Sequence, residues 1–161
     1  MKKPDPLQVN AHGDREIVIT RHFNAPRELV FDAWTTPDLV VQWFGPPDWK
    51  VTTCEMDARA GGGYRFVMEH DSGARMGITG RFREVERPYR MVSTEIFDED
   101  WTGGETLITN ELEERNGRTI MTMTILYGST EARDMVMTSP MAQGMELGFG
   151  RLDDVLETTA L

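Results

Sequence analysis

The side chains able to carry chemistry are few and scattered. His12, His22 and His70 are far apart in the chain, and none stands at helical ligand spacing from another His, Cys or Glu. Zinc takes four clustered nitrogen or sulfur ligands, or three plus water, so no metal site is expected. Cys54 is the one cysteine. It falls in a predicted strand, where a half-buried packing thiol is the ordinary role, and it leaves no internal disulfide to form. Ser72 and Ser129 adjoin turns, where serine serves local hydrogen bonding, and no G-x-S-x-G nucleophile motif occurs. Gly61-Gly62-Gly63 precedes a strand, whereas a phosphate-cradling loop precedes a helix whose N–H groups hold the anion. Neither a cofactor motif nor a catalytic constellation emerges.

The methionines are more informative, eleven of them. Met68, Met76, Met91, Met121 and Met123 fall on predicted strands, and Met141 and Met145 on the apolar stripe of a long terminal helix. Methionine is flexible and polarizable, so it fills irregular core gaps or adapts to varied apolar partners. Ordinary core is one reading. The other is a pocket between sheet and helix, lined by Tyr64, Phe66, Met68, Met121, Met123, Met145 and Phe149, with Trp43 and Met141 at its border. Ligand sites are mostly apolar with a few placed polar groups. Here the candidates are His70, which shares strand parity with Tyr64 and Phe66, and Ser93 or Glu95 on a facing strand; the bland alternative for His70 is a surface turn. An enzyme of cyclase or isomerase kind would use His70 or Glu95 as general base in that pocket. Gly144, Gly148 and Gly150 bear on the same place. Each costs ~1 kcal/mol relative to alanine inside a helix, which close approach of a strand, or empty volume beneath the helix, would offset.

The elements that must position these residues follow from periodicity. Residues 1–14 are polar and aperiodic and read as a loosely attached tail, with one domain from 15 to 161. Ile17, Ile19 and Phe23 alternate with Val18, Thr20 and His22 as a first strand. Pro26 opens a helical rhythm carrying Leu29, Val30, Ala33 and Trp34. Thr36-Pro37-Asp38 caps a second short helix, stopped by Gly45-Pro46-Pro47. Strands then run from Trp49, Tyr64, Met76, Arg90, Glu105 and Arg118, separated by turn residues that include the hairpin dipeptide Asn116-Gly117. From Thr130 onward the pattern is helical. Met141, Met145, Gly148, Phe149, Leu152, Val155 and Leu156 form one stripe. This order predicts a two-layer α+β domain, with an antiparallel sheet of six to seven strands covered by a long helix.

Composition sets the outer limits. The chain has 161 residues and a formal net charge of −10, with 39% hydrophobic and 27% charged residues. That is enough for one domain with a sizeable core. Such acidity lacks the basic footprint of a nucleic-acid binder. No stretch approaches the ~20 apolar residues of a membrane span, and the N-terminus has no signal-peptide pattern. A cytoplasmic monomer or homodimer is the expectation. Between Glu84 and Glu114 there are ten acids against two arginines, read either as edge protection or as a docking patch for a basic partner.

Six local motifs, in order, resemble one family. They are Ala25-Pro26-Arg27-Glu28-Leu29-Val30-Phe31, Trp43-Phe44-Gly45-Pro46, Gly62-Gly63-Tyr64-Arg65-Phe66-Val67-Met68, Asp71-Ser72-Gly73, Gly80-Arg81-Phe82-Arg83-Glu84-Val85 and Gly144-Met145-Glu146-Leu147-Gly148-Phe149. Together they make residues 15–156 similar to the homologues of the activator of the heat-shock-protein-90 ATPase, within the START-like (SRPBCC) superfamily. The resemblance implies a helix-grip fold of the Bet-v type: a curved antiparallel sheet gripping the C-terminal helix, with two short helices closing one end of a cavity. It implies little about activity and transfers no catalytic residue or cofactor; taken with the methionine and glycine placement, the fold points to a binder of a small hydrophobic or aromatic ligand, with a chaperone-docking module in a stress-response role as the alternative. Leu147 stands where the family commonly has Gln, and Phe149 where it commonly has Trp. Ligand identity therefore does not carry over.

Overall fold

In the computed structural model, which describes residues 3–159, strands and helices follow in the order β1 (Gln8–His12), β2 (Glu16–Phe23), α1 (Arg27–Thr35), α2 (Pro37–Trp43), β3 (Trp49–Met56), β4 (Gly63–His70), β5 (Arg75–Glu86), β6 (Arg90–Phe97), β7 (Thr106–Arg115), β8 (Arg118–Leu126), α3 (Thr130–Thr138) and α4 (Met141–Thr159). One antiparallel sheet contains eight strands, in the order β1-β2-β8-β7-β6-β5-β4-β3. The extra strand relative to the expected six to seven is β1, inside the segment read as a loose tail. Its sequence, QVNAH, has no clean alternation, and its residues are mostly exposed. What holds it is pairing with β2, from Gln8 opposite Thr20 to His12 opposite Glu16. The Leu7 N–H also donates to Glu146 Oε1 at 2.8 Å, fastening the start of the chain to α4. The outermost positions of both expected segments, 1–2 and 160–161, lie outside the described residues.

Local chemistry accounts for the rest. Asn116 and Gly117 both have positive φ, 55° and 76°, which fits the two-residue hairpin whose twist matches its strands. That turn fixes the β7–β8 register from Arg115 opposite Arg118 to Leu107 opposite Leu126. The terminal helical region is two helices. Ser129 caps α3, its hydroxyl accepting the Ala132 N–H at 3.1 Å, and Ser139-Pro140 separates α3 from α4.

A buried cation ties α4 to the sheet. Arg21 shares strand parity with Ile17, Ile19 and Phe23, and like them is buried. Its guanidinium donates to Glu146 Oε2 at 3.0 Å and Asp153 Oδ2 at 2.9 Å. Burial opposes the charge on Arg21, but bonds to Asp153 and Glu146 outweigh it and raise the pKa. Burial would likewise raise Glu146; hydrogen bonds from Arg21 and the Leu7 amide hold it below the ordinary carboxylate range.

The core has two parts. One packs β2, β7 and β8 against α1 and α4, centred on residues such as Ile19, Met121 and Leu152. The other gathers Val40 of α2 with Tyr64, Phe66, Met68, Ile78 and Phe82 of β4 and β5. No helix among the described residues is long and apolar enough to cross a membrane.

Candidate functional site

The register stacks the inner-face residues in transverse rows, which build the site. In one row Tyr64 lies opposite Gly80, Gly80 opposite Glu95, and Glu95 opposite Thr106. Tyr127 follows Leu126 at the end of β8 and so adjoins the same row. In the next row Phe82, Ser93, Ile108 and Ile125 are successive partners, and in a third Met91, Asn110 and Met123. Gly80 is required where it stands. A side chain there would collide with the ring of Tyr64 and the Thr94 carbonyl. With that space free, the Tyr64 ring crosses β5 and its hydroxyl donates to the Thr94 carbonyl at 2.7 Å.

Above the rows lies α4. Gly148 lets it approach the end of α2. A Cβ there would sit 3.3 Å from the carbonyl oxygens of Trp43 and Gly45. The close approach is thus to a helix terminus rather than to a strand, and Gly144 and Gly148 also border the open volume beneath the helix, the other expectation for them. Phe149, Trp34 and Trp43 interlock beside it, with ring centroids 4.7 Å apart for Trp34–Trp43 and 5.9 Å for Trp34–Phe149. Trp43 also donates its indole N–H to the Ala33 carbonyl at 3.0 Å, holding α2 on α1.

Between the rows and α4 is a cavity of about 550 Å3, within the range of small-molecule sites. Trp43, Tyr64, Phe66 and Met68 border it, as do Met123, Met141, Met145 and Phe149. Two residues expected with them are elsewhere. Met121 shares parity with Met123 but is fully buried in the core layer shared with β2 and Leu112. His70 is at the end of β4, where the strand leaves the cavity for a hairpin turn. Its Nδ1 lies 2.8 Å from Ser72 Oγ and accepts the Ser72 N–H at 3.1 Å, and its ring packs on Trp49 at 5.2 Å. The turn role accounts for it, so it is removed from the site and from the general-base candidates. Of the lining residues only Trp101 and Pro140 are exposed, so the mouth lies between the β6–β7 loop and the α3–α4 joint.

The polar groups are sparse. Ser93 and Glu95 both line the cavity. Glu95 is the one acidic or basic side chain that does so among the described residues, and its carboxyl has no hydrogen-bond or ion-pair partner among them. It keeps some surface open to the cavity while protein surrounds the rest, and burial pushes the carboxyl up to about 7. Burial, then the nearby Glu95 charge, also raises the hydroxyls of Tyr64 and Tyr127. The sequence reading missed Asn110 and Trp34. Both line the cavity, and Asn110 Oδ1 and Trp34 Nε1 are buried without a hydrogen-bond partner. Asn110 was detectable, because Asn116-Gly117 sets its register and it shares parity with Ile108.

The acidic stretch is partly engaged within the molecule. Glu111 pairs with Arg90 at 3.0 Å and Glu113 with Arg115 at 2.8 Å, while Glu114 accepts the Arg27 N–H at 2.9 Å.

An antiparallel sheet wrapped on a long C-terminal helix, with a cavity between them, defines the helix-grip class of START-like proteins. Within it the chain belongs to the family described as "Activator of Hsp90 ATPase homolog 1-like protein", matched over residues 24–157. No curated protein matches. A crystal structure of a Rhodobacter sphaeroides protein is 36% identical with a TM-score of 0.91, over 96% of this chain and 99% of that one. A solution structure of an Arthrobacter aurescens protein is 25% identical with a TM-score of 0.83, over 94% and 91%. A crystal structure of a Nitrosomonas europaea protein, at 21% identity and TM-score 0.82 over 93% and 99%, shares the fold.

Proposed function

We propose that this chain is a binding protein for a small, largely apolar molecule, held between the sheet and α4. The observation that carries the reading is the cavity of about 550 Å3, bordered by aromatic and methionine side chains with a few polar groups set among them. Methionine suits a site that must adapt to its occupant. The family is consistent with either a ligand or a protein partner. The ligand is favoured because the acids that would dock a basic partner are partly spent on Arg90, Arg115 and the Arg27 amide. A cyclase- or isomerase-like role would fall to Glu95, since His70 is committed to its turn. Thermal melting against a lipophilic compound library is the test. At 100 times Kd a bound compound adds ~2.7 kcal/mol, and at this size the midpoint rises about 2–4 °C per kcal/mol. A library without any stabilising compound, and no compound retained in native mass spectrometry, would refute the reading.

A further inference from the structure

We propose that the occupant is a lipophilic amine, whose ammonium group pairs with Glu95 while its apolar body lies across the Ile108–Ile125 row. This deepens the binding reading and rests on it.

Glu95 is the one acidic or basic group lining an otherwise apolar cavity, and among the described residues nothing pairs with it. Buried ions are ordinarily paired, because an unpaired one loses its hydration with no return. Every other titratable group facing it belongs to a tyrosine, Tyr64 from β4 and Tyr127 from the end of β8. Both hydroxyls stay protonated, so neither supplies a cation. Above about pH 7, where the carboxyl gives up its proton, the partner it lacks would arrive with the ligand.

The surroundings specify a cation. Tyr64 and Tyr127 flank Glu95 in its row, and Phe97 follows two residues along β6, with Trp101 packed on it at 5.5 Å near the mouth. Aromatic faces attract ammonium groups, more strongly once water is excluded. The net charge of −10 draws cations toward the molecule and repels anions. A carboxylate ligand would meet Glu95 as a like charge. An amine meets an acceptor already in place, and its proximity favours the ionised form of a carboxyl that burial holds near 7. The apolar body has its bed in the next row, where Ile108 and Ile125 face the cavity.

The test uses two probes of one shape, 2-(1-naphthyl)ethylamine and 2-(1-naphthyl)ethanol, titrated calorimetrically into the intact chain. At pH 8 the wild type is expected to bind the amine at least about tenfold tighter than the alcohol, corresponding to about 1.4 kcal/mol. Glu95→Gln is expected to erase that preference while the alcohol binds as before. Wild-type preference should also shrink at pH 6, where Glu95 takes up its proton, and this readout needs no variant. Alcohol binding as tight as amine binding at pH 8, or an amine preference that survives in Glu95→Gln, would overturn the proposal and leave the apolar-ligand reading standing. Failure of both probes to bind would count against both readings.

Discussion

Replacing Glu95 by Gln should make the empty protein more stable at pH 8. The buried carboxyl titrates near 7 in the folded chain against an ordinary value of 4.5. Because the folded value is the higher one, between these two the native state holds a proton that the unfolded chain has released. Stability from protonated Glu95 is therefore complete below about 4.5 and lost as pH rises to about 7. At 1.36 kcal/mol per pH unit the loss is at most about 3 kcal/mol. Surface left open to cavity water lowers it toward about 2 kcal/mol. Gln has nearly the same shape and no charge, so the variant should lack this slope. Urea unfolding of both proteins, at half-unit steps from pH 4.5 to 8.5, isolates the effect, since every other titrating group is common to both. The difference should grow from near zero to about 2–3 kcal/mol, or about 4–12 °C in Tm. A flat difference curve, or a variant less stable at pH 8, would refute the burial argument.

Two further outcomes concern the scaffold. Arg21→Ala leaves Glu146 and Asp153 without their shared cation and should lower stability by about 3–5 kcal/mol, read from denaturant midpoints at pH 7; a loss under 1 kcal/mol would mean the triad does not hold α4 on the sheet. Gly150→Ala meets no atom within 4 Å and should stabilise α4 by up to about 1 kcal/mol. Gly80→Ala should destabilise by several times that, because its methyl collides with Tyr64 and the Thr94 carbonyl. Equal effects in the two glycine variants would show that propensity, rather than the ring crossing β5, sets the need at Gly80.

What the sequence made legible were features with strong local periodicity. The β7–β8 hairpin, the α4 stripe and the inward parity of Tyr64, Phe66 and Met68 follow from spacing alone. β1 was hidden because its pairing depends on β2 and on Glu146, far along the chain, rather than on its own pattern. Arg21 illustrates the same limit: on parity it belongs inside, yet only α4 supplies the acids that permit it there. His70 and Met121 were misplaced for one reason. Parity says which face of a strand a residue occupies, but a cavity covers only part of that face. His70 lies beyond its edge in a turn, and Met121 lies where the helices already fill the space.

Of the buried polar atoms without a partner, those of Arg27 and Arg151 lie away from the cavity lining, while two others lie on it. Asn110 Oδ1 and Trp34 Nε1 are buried without partners, and Glu95 borders the cavity alone. A buried polar group left unsatisfied costs about 1–3 kcal/mol, and the rows would accept apolar residues at Glu95 and Asn110 without changing the register. A carboxyl serving the fold would lose stability when replaced. One serving a ligand should show the opposite signature, with Glu95→Gln raising the stability of the empty chain and lowering its affinity for an amine. Opposite signs in those two measurements separate function from packing more sharply than either alone, because no repacking of the core produces a gain in stability together with a loss confined to the charged probe.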